Sequence, residues 1–265
     1  MKTILQLKKI GLVVLAIVLS TGFSRAQDYY EMVYVEGGTF QMGSDEKIAE
    51  QDEVPVHEVT LSSYYIGKFE VTQQLWQYIM ENNPSHFKGI TRPVTNVSWN
   101  SCILFCNALS RKAGLEECYY VDGDSYRMDI DRNGYRLPTE AEWEFASIGG
   151  TKSKGYKFSG STISKKVVWF RTNSGFVTHP VGKLAPNELG IYDMSGNVWE
   201  WCWDWYATYT SEPQVDPTGP KTGVLRVDRG GSFYDFARWC RPFKRDFNAP
   251  TDIDVNIGLR LVRRP

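Results

Sequence analysis

The spacing of apolar and polar positions changes several times along this chain, and each change predicts an element. Met32-Val33-Tyr34-Val35 reads as a short strand. Gly37-Gly38 reads as a turn, and Thr39-Phe40-Gln41-Met42-Gly43 as the hairpin partner of that strand. Residues 44–53 are polar and predict a loop, and residues 56–65 alternate well enough for a further strand. Thr72 is a candidate N-cap for a helix through Leu75, Trp76 and Ile79, stopped by Asn82-Asn83-Pro84. A second helix is expected from Ser98 to about Lys112. Ile103, Cys106 and Leu109 form its apolar stripe, and Gly114 its C-terminal cap. A third begins at Pro138-Thr139-Glu140-Ala141-Glu142, where Thr139 and Glu142 have capping-box spacing and Trp143 and Phe145 lie on or near the buried side. Beyond Gly149, short aromatic strands alternate with Gly, Pro, Asn and Asp turns. No composition break, linker or internal repeat divides the chain, so the pattern predicts one α+β domain with little regular secondary structure over residues 27–265.

The first 26 residues follow another logic. Lys2, Lys8 and Lys9 precede a short apolar run, residues 10–19, and Ser24-Arg25-Ala26 places small residues before a cut at Gln27. This is the pattern of a secretory signal peptide, and the run is too short for a stable span. Export to the periplasm or the extracellular space is the expectation, without a membrane span.

Composition adds exclusions. Lys and Arg total 30 against 31 Asp and Glu, so no basic footprint suggests nucleic acid. Aromatics are 14% of the residues, enough to build a substantial core without metal or disulfide staples. A monomer that meets a protein or a small ligand is the expected form. Five cysteines in an oxidising compartment leave at least one thiol unpaired, and sequence does not fix connectivity. Cys106–Cys118 and Cys202–Cys240 are the candidate pairs, with Cys102 the remainder.

Asp129, Asp131, Asn133, Gly134 and Glu140 match the spacing of an EF-hand calcium loop. The context opposes that reading. Tyr119-Tyr120-Val121-Asp122-Gly123 predicts strand and turn rather than an entering helix, Pro138 interrupts the loop, and Glu140 suits the first turn of the capped helix.

Five blocks taken in order carry a family resemblance. They are the opening Met32 to Gly43 stretch quoted above, Phe69-Glu70-Val71-Thr72, Tyr135-Arg136-Leu137-Pro138-Thr139-Glu140-Ala141-Glu142-Trp143-Glu144, Leu189-Gly190-Ile191-Tyr192-Asp193-Met194-Ser195-Gly196-Asn197-Val198-Trp199-Glu200-Trp201, and a final block holding Arg229-Gly230-Gly231-Ser232 and Ile257-Gly258-Leu259-Arg260. Together they resemble the sulfatase-modifying-factor family, to which the formylglycine-generating enzymes belong. The resemblance implies a formylglycine-generating-enzyme-like fold, an elaborated relative of the C-type lectins. It also implies calcium held by Asn197, Glu200 and backbone carbonyls at and around Val198, with a weaker second position near Asn173.

The family's chemistry oxidises a sulfatase cysteine with O₂ and a copper ion held by two cysteines with four residues between them. Soft thiolates suit Cu(I). Aligned from Gly230-Gly231-Ser232, one cysteine position falls on Cys240 and the other on Asp235, a hard carboxylate. The resemblance therefore predicts no copper site and no formylglycine synthesis, unless Cys202 approaches Cys240 to rebuild one. Of the family's disulfide positions, Cys106 faces Leu261, and the other pair falls on Ser147 and Arg245. His57, His86 and His179 show no ligand spacing and are read as structural or surface residues. The alternative is a binding protein. Phe233, Tyr234, Asp235, Phe236 and Trp239, followed by the loop-rich stretch to residue 255, have the composition of a contact surface. Some lectin-fold relatives are diversified in this segment.

Overall fold

The computed structural model describes residues 30–123 and 125–265, so the expected signal peptide lies outside the described residues. Three helices start where the caps predict. Helix α1 (Gln73–Met80) follows Thr72, whose side chain accepts from Leu75 N. Helix α2 (Trp99–Lys112) follows Ser98, which accepts from Ser101 N, and Gly114 just beyond its end has φ +71°. Helix α3 (Glu140–Ser147) carries both halves of the Thr139–Glu142 capping box. The N–H groups of a first helical turn lack intrahelical partners, and these side chains supply them. A four-residue α4 (Ser164–Val167) lies in the region where no long helical pattern was expected.

The strands depart from the expected pairing. Strand β1 (Met32–Val35) pairs antiparallel with β4 (Tyr64–Gly67), and β4 also pairs with β12 (Val262–Arg263). Strand β2 (Gly38–Met42) pairs instead with β3 (His57–Leu61), which is joined by β8 (Gln214–Val215). The expected 32–43 hairpin is therefore a crossover between two sheets. Gly37 makes it: a Cβ there would lie 2.5 Å from the Leu61 carbonyl oxygen. The single strand expected over residues 56–65 is divided into β3 and β4 for the same reason, because each half feeds a different sheet.

Strands β5 (Tyr119–Asp122) and β6 (Ser125–Met128) form a separate hairpin where an EF-hand would need a helix. The largest sheet has the order β10-β9-β7-β11, with β7 spanning Trp199–Trp205, β9 Arg226–Arg229, β10 Arg245–Asn248 and β11 Ile257–Gly258.

One core gathers α1, α2 and the buried Trp199 and Trp201 of β7, with Trp76 stacked on Phe105 at 4.8 Å. A second packs Trp143 and Phe145 of α3 on β2, β3 and β4 and includes Cys202. A third is small and encloses Cys240 with Phe158, Val167, Val168 and Phe170. All five cysteines are buried free thiols, so neither expected disulfide is present. Cys202 and Cys240 belong to different cores. Cys106 and Cys118 share the first core, but the Cys118 thiol turns to the Arg132 carbonyl oxygen at 3.7 Å.

Candidate functional site

Strand β9 is followed by Gly230 and Gly231, both with left-handed backbone, φ +103° and +74°. A Cβ on Gly231 would lie 2.7 Å from Cys240 Sγ and from the Trp239 carbonyl oxygen, so this contact admits only glycine. The chain then turns at Ser232. Its N–H and hydroxyl both donate to Asp235 Oδ2, at 2.9 and 2.6 Å, and its Oγ accepts from Tyr234 N at 3.2 Å. A 3₁₀ turn, Ala237–Cys240, brings Cys240 back underneath.

The Cys240 thiol lies 3.9 Å from the carbonyl oxygens of Ser232 and Phe236. Burial, and next the charge of Asp235, push its pKa well above the ordinary thiol value. Burial also raises the Asp235 carboxyl, against the pull of its Ser232 hydrogen bonds. A protonated thiol and a carboxylate committed to a turn do not make a soft two-thiolate site. Cys202, in another core, does not complete it.

The expected contact residues separate into two groups. Phe233 is buried, edge-on to Phe87 at 5.5 Å. Tyr234 and Phe236 are 43% and 47% exposed, and Trp239 and Asp235 are half-buried. The fold adds residues from the 169–176 loop. Arg171 N donates to the Asp235 carbonyl oxygen at 2.8 Å, and its guanidinium lies 5.1 Å from the Phe236 ring and 5.5 Å from the Phe176 ring. Phe176 is itself 44% exposed, 5.8 Å from Tyr234. Arg238 lies 5.4 Å from the Trp239 ring. The result is an exposed surface of aromatic rings and guanidinium groups around Asp235. Arg171 and Phe176 are distant in sequence from the C-terminal segment, and no local pattern marks them.

The calcium donors named by resemblance are otherwise engaged. The Asn197 side chain accepts from His179 N at 2.8 Å and donates to Glu70 Oε2 at 2.6 Å, while Val198 N donates to Glu70 Oε1 at 3.3 Å. The Glu200 carboxylate accepts from Arg260 Nη2 at 2.7 Å and Arg260 Nε at 3.0 Å, and from Trp143 Nε1 at 2.7 Å. Asn173 closes its own loop, accepting from Phe170 N and donating to the Val168 carbonyl oxygen, each at 2.8 Å. Among the described residues no group of three or more His, Cys, Asp or Glu side chains is placed to hold a metal ion. The Glu200 carboxylate therefore does not fit calcium in this arrangement, because Arg260 supplies its positive charge.

The three acids of helix α3 are each paired with an arginine. Glu140 meets Arg245 at 2.6 Å, Glu142 meets Arg136 at 2.7 Å, and Glu144 meets Arg229. Glu53 meets Arg241 at 2.7 Å. Asp129 of the EF-hand-like spacing meets Arg132. Of the histidines, His179 stacks on Trp169 at 3.7 Å and His57 packs against Tyr209 at 4.9 Å, while His86 lies edge-on to Phe87. Asp204 is buried on the wall of a cavity and, like the buried Glu70, Asp193 and Asp228, belongs to no ion pair among the described residues.

The sulfatase-modifying factor enzyme 1-like domain matches residues 20–265. The chain belongs to this family. A chaperone protein LppX of Paenibacillus barcinonensis is 38% identical, over 88% of this chain and 89% of its own. A formylglycine-generating enzyme of Streptomyces coelicolor is 30% identical, over 86% of this chain and 87% of its own. Among solved structures, Treponema denticola variable protein 1 superposes with a TM-score of 0.82 at 39% identity, covering 89% of this chain and 95% of that one. The family fold expected from the sequence blocks is the fold observed.

Proposed function

We propose that this chain is an exported, non-catalytic member of its family that binds a partner through the surface around Asp235. The carrying observation is the substitution of chemistry for contact area at one place. Where the resemblance calls for a reactive cysteine, a carboxylate holds a turn, and Tyr234, Phe236, Trp239 and Phe176 surround it with Arg171 and Arg238. Aromatic rings give large contact area at low entropic cost, and arginine adds planar hydrogen-bonding and stacking capacity. The buried Gly231–Cys240 contact beneath it fixes the backbone from which these side chains project.

Likeness over most of the chain to one protein named as a chaperone and another named as a variable protein supports a use of the scaffold outside oxidation chemistry. The same surface can accept a protein loop or a small polar ligand. Peptide and glycan arrays probed with the wild-type chain and with a Y234A/F236A variant test the proposal. Specific hits are expected with wild type and lost with the variant, whereas hits that survive the double substitution would place binding elsewhere.

A further inference from the structure

A second site lies away from the Asp235 surface, between the connection after β7 and the start of α3. The cavity there has a volume of about 580 Å³, a size common among small-molecule sites. Met42, His57, Trp205, Tyr209 and Val215 contribute to its wall, together with Asp204. Asp204 is 5% exposed. Its Oδ2 accepts from Glu140 N at 2.9 Å, while Oδ1 accepts no hydrogen bond from the described residues.

Neighbouring charges are already committed. Glu140 and Arg245 are paired with one another. The Arg226 guanidinium is sandwiched between Trp99 and Trp205, at 3.7 and 3.4 Å, and donates to the Trp203 carbonyl oxygen. Gly219 closes the rim directly on the acid. A Cβ there would lie 3.0 Å from Asp204 Oδ1, and its φ of +70° independently favours glycine. His57 Nδ1 lies 3.1 Å from the Pro55 carbonyl oxygen.

The charged form of a buried acid with one oxygen unpartnered is costly, and Arg226, held between two tryptophans, offsets that cost only in part. Burial, with the charge of Glu140 next in size, pushes the Asp204 pKa up to about 8. An arriving cation removes that cost, while an anion increases it.

We propose that this cavity binds a small organic cation, an ammonium or guanidinium on an apolar stem, with Asp204 as its counter-ion and the aromatic wall against the stem. The site is separate from the Asp235 surface, so either reading can fail without the other.

Calorimetric titration of the full chain with phenethylamine, agmatine and the neutral 2-phenylethanol tests it. At least one cation is expected to bind about tenfold or more tightly than the alcohol, and D204N is expected to abolish that preference. Asparagine keeps an acceptor for Glu140 N, and a thermal melt of D204N separates lost binding from lost folding. Equal binding of alcohol and amine, an unchanged preference in D204N, or no binding of either cation at millimolar concentration would overturn the proposal.

Discussion

Asp235 Oδ2 receives both the backbone N–H and the hydroxyl of Ser232, at 2.9 and 2.6 Å. One carboxylate oxygen thus sets the turn that presents Tyr234 and Phe236 and seats Cys240 below. The residue that departs from the family's copper pattern has a structural task of its own.

Removing that carboxylate should loosen the turn. D235A is expected to lose about 1–3 kcal/mol, the scale of hydrogen bonds to a charged group at a part-buried site. D235N, which retains one acceptor, is expected to lose less. Urea unfolding midpoints check the order, and equal stability of D235A and wild type would contradict it.

Glu200 and Arg260 form a buried pair in which removal of either side strands a charge. R260M is expected to cost about 3–5 kcal/mol. Because Arg260 supplies the charge that calcium would bring, wild-type melting is expected to be the same in EGTA and in excess calcium. A midpoint that falls with the chelator would return calcium to this corner of the fold.

These contacts also show what the sequence made legible. Thr72, Ser98 and the Thr139–Glu142 box could be read because a cap and its partner lie within three residues. The hairpin over residues 32–43 could not. Alternation marks a strand but not its partner, and Gly37 can serve a crossover as well as a turn. The partners of the acids were equally hidden: Glu140 and Arg245 are 105 residues apart, and Glu200 and Arg260 are 60 apart. The Asp235 substitution was visible because neighbouring glycines fix its alignment, whereas Arg171 and Phe176 enter that surface only through the fold. Asp204 gave little signal among the tryptophans of β7.

The cysteines offer a count. With all five thiols buried and unbonded, intact mass and thiol titration under denaturing, non-reducing conditions are expected to give five free thiols. Under native conditions they are expected to react slowly, since burial protects them and raises their pKa values. A mass deficit of one disulfide would revise the core assignment of Cys202 and Cys240 or the separation of Cys106 from Cys118.

Asp204 makes stability depend on pH with a defined sign. Its pKa rises from the ordinary 3.8 to about 8 in the fold, chiefly through burial. Between those values the unfolded chain has released the proton while the folded chain keeps it, so stability falls as pH rises from about 4 to 8. D204N lacks this titration. The melting point of D204N relative to wild type is expected to climb across that window and level off above it, and a flat difference would contradict the assignment.

The proposed function requires that the family scaffold persists here without its copper oxidation. Incubation of the chain with copper, O₂ and a Cys-x-Pro-x-Arg peptide, read by mass spectrometry for aldehyde, tests it most directly. The peptide cysteine is expected to stay unconverted, beside an active family enzyme as control. Robust conversion to formylglycine by this chain would contradict it.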